Sequence, residues 1–356
     1  MPASLNLLDL DRAAAEALVV RSGVRPFYGR NLIKWIHKHG VLDVMQMTDL
    51  PQALRLTLQQ QTQVHLPEVV FEQPALDGTT KWLLQLSEGQ RIEMVYIPEA
   101  KRGTLCVSSQ VGCALDCTFC STAQQGFNRN LSTGELIAQV WLARHRLGKR
   151  LTNVVLMGMG EPLANFAAVV RAIRLMTDDL AYMLGQTRVT LSTSGLVPAL
   201  YRLREAASVS LAVSLHAPDN VLRNQLVPIN RKYPLEQLIP ACRSFVAKHK
   251  RRKITWEYVM LDQVNDAPIQ AQQLARLLSQ VPSKINLIPF NPFPGTSYRT
   301  SPLDRILTFQ RHLQRAGFVT TIRKTRGDDV AAACGQLVGR VQDRRHRQRQ
   351  QVIAAA

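Results

Sequence analysis

From Thr104 to Arg315 the chain alternates short apolar, β-branched runs with longer stretches of helical periodicity, and few folds accommodate that alternation. The strand-like runs are Thr104 to Ser108, Asn153 to Met157, Arg188 to Leu191, Ser208 to Ser214, Thr255 to Leu261 and Ser283 to Ile288. Between them, Ser132-Thr-Gly-Glu135 is a capping box opening a helix to about Arg146. Further helical patterns run Phe166 to Met176, Val197 to Glu205, Leu235 to Lys248, Pro268 to Leu278 and Pro302 to Arg315. Parallel strands need crossovers of this length, so six βα units predict an α/β fold with a parallel, barrel-like sheet. Two units fewer than the closed eightfold form leave the barrel open, a partial (β/α)6 barrel. Chemistry in such a barrel gathers at the carboxyl ends of the strands.

The loop after the first strand holds Cys113-Ala-Leu-Asp-Cys117-Thr-Phe-Cys120, three of the chain's six cysteines in eight residues. Three thiolates can each ligate one iron of a [4Fe-4S] cluster and leave the fourth iron open. An open iron can bind the amino and carboxylate groups of S-adenosylmethionine, and an electron through the cluster can split that molecule into methionine and a 5'-deoxyadenosyl radical. Two other readings stand beside this one. The spacing also suits a buried helical stripe, although Asp116, Thr118 and Ser121 interrupt it, and Cys106 could complete a four-thiolate zinc site.

The later strand ends are polar too. Gly158 and Gly160 let the backbone approach a ligand, and Glu161 can accept hydrogen bonds from an ammonium group such as that of methionine. Ser192, Ser214 and His216 stand where they can bond the ribose, carboxylate or adenine of the cofactor, or simply cap strands. Asn291, in a proline-stiffened loop, could contact an adenine edge or the cofactor.

Ahead of the alternating region, residues 1–65 read as short helices, Asp9 to Val20, Gly29 to His39 and Leu50 to Gln61. Arg21, Arg25, Arg30, Lys34, His37 and Lys38 make this unit basic around Phe27, Tyr28 and Trp35, which can stack bases or form the unit's own core. Residues 66–98 form a β-rich connector, 99–329 the barrel and 330–356 a C-terminal segment. In the strand Arg91 to Ile97, Glu93 lies opposite the apolar set Ile92, Met94 and Tyr96; taken alone it is a solvated strand carboxylate.

With 44 Lys and Arg against 26 Asp and Glu, the net charge is +18, a field that attracts polyanions. Neither an amphipathic basic helix nor a lipidation motif is present, so nucleic acid is favoured over membrane. Lys248-His-Lys-Arg-Arg-Lys253 offers phosphate contacts, and Arg340, Arg344, Arg345, Arg347 and Arg349 form a basic tail. No signal peptide or apolar span is recognisable, and clustered thiols suit a reducing compartment, so a cytoplasmic protein is expected.

The run Cys106-Val-Ser-Ser-Gln-Val-Gly-Cys113-Ala-Leu-Asp-Cys117-Thr-Phe-Cys120-Ser-Thr-Ala-Gln-Gln-Gly-Phe-Asn-Arg-Asn130 closely resembles that of the radical S-adenosylmethionine adenine-C2 methyltransferases of ribosomal and transfer RNA. The resemblance spans about Pro26 to about Gly335. It implies a radical S-adenosylmethionine barrel with an N-terminal accessory domain that helps bind RNA, acting on 23S rRNA and tRNA. It implies that Cys113, Cys117 and Cys120 hold the cluster, and that Gly160, Glu161, Ser192, Ser214, Leu215, His216 and Asn291 bind the cofactor. It further implies that Glu93 accepts a proton, that Cys334 carries a methyl group, and that Cys106 releases the product by a transient disulfide with Cys334. An electron donor such as flavodoxin and a monomeric state complete the expectation, while Cys242 matches nothing and reads as buried structure. A related C8 methyltransferase and a non-catalytic zinc-stabilised RNA-binding protein are the alternatives.

Overall fold

The computed structural model describes residues 4–248, 252–324 and 337. Cys334, the middle of the basic run at residues 249–251 and the C-terminal arginines lie outside them.

The chain opens with β1 (Leu5–Asn6), α1 (Arg12–Arg21), α2 (Phe27–Ile33), α3 (Gln52–Gln61) and β2 (Thr62–Gln63). Helix α1 starts later than the periodicity predicts because Leu7–Asp9 form a 3-10 turn, after which the Asp11 carboxylate accepts the Ala14 N–H at 3.0 Å as the true cap. The second helix starts earlier, directly after Pro26. Strands β1 and β2 pair in parallel, Leu5 with Thr62, so the ends of this unit meet.

Next come three antiparallel strands, β3 (Glu68–Pro74), β4 (Thr80–Gln85) and β5 (Arg91–Glu99). Gly78 and Gly89, at φ +81° and +73°, allow the two tight turns between them. These strands are not a separate connector in hydrogen-bonding terms. β5 pairs with β6 (Arg102–Cys106), which begins the parallel set.

The small hairpin of β7 (Gln110–Gly112) and β8 (Phe127–Asn130) encloses α4 (Ser121–Gln124). There follow α5 (Thr133–Trp141), β9 (Asn153–Leu156), α6 (Phe166–Thr177), β10 (Val189–Thr193), α7 (Val197–Ala206) and β11 (Ser210–Ser214). The chain continues through α8 (Asn220–Leu226), α9 (Leu235–Lys248), β12 (Ile254–Met260), α10 (Pro268–Leu278), β13 (Ser283–Pro289), α11 (Leu303–Arg315) and β14 (Val319–Ile322). The capping box is present, with the Ser132 hydroxyl accepting the Glu135 N–H and the Glu135 carboxylate accepting the Ser132 N–H.

One sheet of ten strands runs β14-β13-β12-β11-β10-β9-β6-β5-β4-β3. The six strands expected from sequence are joined by a seventh parallel strand, β14, too short and too threonine-rich to register as an apolar run. The sheet curls: one small cavity is lined both by Arg323 and Lys324, just after β14, and by Ile97, Glu99 and Thr104 of β5 and β6. Helices cover the outer face, where Tyr258 packs on Phe309 of α11 at 5.2 Å. The barrel is therefore open between its first and seventh parallel strands.

The N-terminal unit docks on the outer helices α5 and α6. Asp9 accepts the Gly134 N–H at 2.6 Å, Arg12 pairs with Asp178, the Trp141 indole N–H donates to Ile36 O at 2.9 Å, and the His145 ring bonds His37 O at 2.9 Å. His37, expected among the surface charges, is instead fully buried against Tyr182, and burial lowers its pKa to about 3. It is neutral. Phe27 remains 53% exposed, whereas Trp35 is half-buried and donates its indole N–H to Asp49.

Candidate active site

The carboxyl ends of the parallel strands surround one cavity, and Cys113, Cys117 and Cys120 all line it. Position follows from local geometry: the Cys113 N–H bonds Gly126 O at 2.7 Å, tying the loop to the hairpin, and Asp116 takes a left-handed turn at φ +54° between the first two thiols. Burial raises the Cys113 pKa to about 12 and that of Cys117 well above the usual thiol value, with the neighbouring Cys120 adding to both. Iron loading must therefore displace protons. Among the described residues no three His, Cys, Asp or Glu side chains converge closely enough for a single metal ion. Cys106 does not line the cavity; it ends β6, paired in register with Val95 and Val155. Three thiols around one cavity fit a cluster-sized group, and among the described residues the four-thiolate zinc site lacks its fourth ligand, because Cys106 stands outside the cavity.

Opposite the thiols stands the turn after β9. Gly160 has φ +97°, and a Cβ there would come within 2.5 Å of Gln110 Cβ, so only glycine fits. Gln110 accepts the Glu161 N–H at 2.8 Å and donates to Asn130 at 2.7 Å, bracing this turn with the hairpin. The buried Glu161 carboxylate accepts the Leu163 N–H at 2.9 Å and the Ser194 N–H at 2.8 Å, yet burial still raises its pKa to about 7. The Thr193 side chain bonds the carboxylate as well, and with three donors on two oxygens it still has acceptor capacity for a cation.

Ser192, Ser214, His216 and Asn291 also line the cavity. His216 sits at φ +61°, accepts the Val259 N–H on Nδ1 at 3.0 Å and packs edge-on to Phe119 at 4.5 Å. Burial lowers its pKa to about 3, so the neutral ring keeps an Nε2–H to donate. Leu215 departs from expectation: it does not line the cavity, its N–H donates to Glu257 O and its carbonyl accepts from Arg223. It supports the site from behind.

Three contributors escaped the sequence reading. Arg223 of α8 is fully buried and donates to the carbonyls of Leu215, Ser194 and Ser214 and to Asn230 Oδ1, joining the ends of β10 and β11. Glu257, beside Ser214 in register, lines the cavity and accepts from Asn286 at 2.8 Å. A carboxylate within an apolar central strand was the available signal. The third is Lys81, whose ammonium lies 3.3 Å from the Glu93 carboxylate, both largely buried. Glu93 does lie opposite Ile92, Met94 and Tyr96, but it is buried rather than solvated, and like Lys81 it is not among the residues that line the cavity. Cys242 is fully buried, as expected.

An open parallel barrel with three thiols lining one cavity at its strand ends fits a radical S-adenosylmethionine protein, and residues 107–273 match the Radical SAM superfamily. Residues 5–64 match the ribosomal RNA large subunit methyltransferase N-terminal domain. A protein named dual-specificity RNA methyltransferase RlmN from Alkalilimnicola ehrlichii is 59% identical over 98% of both chains. Its namesake from Francisella tularensis subsp. novicida is 53% identical over 96% of this chain and 95% of its own. The crystal structure of a radical SAM methyltransferase from Sphaerobacter thermophilus superposes with a TM-score of 0.87 at 42% identity, covering 94% of this chain and 99% of that one. The chain belongs to the family of dual-specificity RNA methyltransferases RlmN.

Proposed function

We propose that the chain methylates C2 of one adenosine in 23S rRNA and of one in tRNA. One observation carries this reading: a cavity collecting three cysteines and Glu161 in a chain 59% identical, over 98% of its length, to a dual-specificity RNA methyltransferase. Adenine C2 lies between two ring nitrogens and is too electron-poor to take a methyl group directly from a sulfonium; a carbon radical can add to it. A [4Fe-4S] cluster, when bound, supplies the electron that cleaves S-adenosylmethionine to a radical.

Cys113, Cys117 and Cys120 hold that cluster. Glu161 takes the methionine ammonium of S-adenosylmethionine, Gly160 lets the backbone approach it, and Ser192, Ser214, His216 and Asn291 bond its remaining polar groups, with Leu215 behind them. Cys334 carries the methyl group to the base. Leu337, three residues further along the chain, supports this by lining the cavity and accepting the Thr122 hydroxyl at 2.8 Å. Glu93 removes the C2 proton, and Cys106 frees the product by forming a disulfide with Cys334. Residues 1–65 assist RNA binding, 66–98 carry the base, 99–329 form the core and 330–356 bring the methyl carrier. We place the protein in the cytoplasm as a monomer reduced by a flavodoxin-like donor.

The test uses iron-loaded protein, S-adenosylmethionine and a reductant with 23S rRNA fragments and with tRNA, followed by nuclease digestion and mass spectrometry. 2-Methyladenosine from both RNAs is the expected product; 8-methyladenosine, or no methylated base, would sink the proposal.

A further inference from the structure

The sheet register brings together two groups that the proposed reaction uses and one that it leaves unexplained. Lys81 of β4 stands opposite Val95 of β5, and Val95 stands opposite Cys106 of β6; Glu93, two residues before Val95, shares their face. Lys81 Nζ lies 3.3 Å from Glu93 Oε1, with side-chain exposures of 12% and 7%. This is the diagonal cross-strand contact, which only a long side chain spans. A lysine withdrawn this far from water is rare unless it has a task, and a carboxylate buried here needs an opposite charge to remain ionised.

We infer that Lys81 is a positioning residue for proton removal from C2: its ammonium keeps Glu93 ionised, and therefore basic, in its buried position on β5. The inference rests on the reading of Glu93 as proton acceptor. Of the elements packed against β5, β4 contributes Lys81 as its one ionisable side chain, β6 contributes Arg102 and Cys106, and β7 contributes none. Arg102 is engaged at the far end of the pair by Glu99, and on β5 itself Arg91 donates to Gln85. Across the sheet's opening Arg323 and Lys324 line a cavity with Ile97 and Glu99 of the same strand, and Lys81 is the cation whose contact with the Glu93 carboxylate is set by the strand register. When the substrate gives up its C2 proton, the proton passes to the Glu93 carboxylate, the pair goes from net neutral to net positive, and the next turnover begins once solvent has taken the proton back.

The experiment is the pH profile of single-turnover methylation by iron-loaded protein. A base must be ionised, so the rate rises with pH through its ionisation. In Lys81→Met the carboxyl loses the ammonium beside it and holds its proton longer, so the acid limb should move up by about one pH unit or more, with much of the rate regained at high pH. Lys81→Arg should stay close to the parent, because a guanidinium also supplies the charge. Melting curves give a readout independent of turnover. Lys81→Met should lose stability as pH rises and its buried carboxylate ionises, and Lys81→Met with Glu93→Gln should not. Lys81→Gln serves the same comparisons if the methionine variant does not fold. An acid limb that stays in place while the rate falls equally at every pH overturns the inference, as does Lys81→Arg behaving like Lys81→Met. Failure of the underlying reading looks different: Glu93→Gln would then turn over at the parent rate.

Discussion

At the scale of single residues the site divides into groups that sequence displays and groups that only folding reveals. Cys113, Cys117 and Cys120 were legible because three thiols in eight residues are improbable without a shared ligand. Replacing any one by Ala should remove most bound iron and all methylation, measured by iron and sulfide assay; full iron content in all three variants would refute the assignment. Arg223 was not legible, since a lone arginine on a short helix reads as surface. Its guanidinium satisfies four acceptors beneath Ser194 and Ser214. Arg223→Met should therefore destabilise the fold by about 3 kcal/mol or more, as buried acceptors lose their donors, and weaken S-adenosylmethionine binding as well. Thermal melting and calorimetric titration would measure the two effects. Lys81 and the burial of Glu93 escaped for a related reason: alternation along β5 separates two faces but cannot say that both are buried.

At the scale of elements, helices with clear start signals were read to the residue. Both α9 and α10 begin and end where the pattern puts them, and Ser132 caps α5. Ser132→Ala should cost about 1 kcal/mol of stability in a denaturant melt. Elements whose length is fixed by tertiary packing were missed: β14, four residues with two threonines, exists because β13 offers it an edge, and α8 because Arg223 anchors it. The segment after α2 carries a pH consequence. An unfolded histidine takes a proton near pH 6.5, but buried His37 resists to about 3. Between those values the unfolded chain binds the extra proton, so stability should fall as pH falls through this window, by at most about 1.4 kcal/mol per unit. His37→Gln should flatten part of that slope in melts from pH 7 to 4, leaving the shares that His216 and His145 contribute.

At the scale of the whole molecule the strand and helix alternation gave the barrel, and the charge balance gave the class of partner. Neither could give the docking of the N-terminal unit, which depends on pairings such as Asp9 with Gly134 across more than a hundred residues of chain. If the +18 charge serves the phosphate backbone, RNA affinity should fall steeply between low and physiological salt in filter binding, with a log–log slope that tracks the number of ion contacts. A flat dependence would make the charge idle surface.

The parallel pairing of Leu5–Asn6 with Thr62–Gln63 means that the first sixty or so residues enter and leave their folded unit at one point. A protease cutting at exposed His65 would sever a single strand of chain and none of the contacts to α5 and α6. The two pieces should stay together on a native sizing column and separate only in denaturant. A nicked preparation would thus pass for intact protein until it is boiled for a gel.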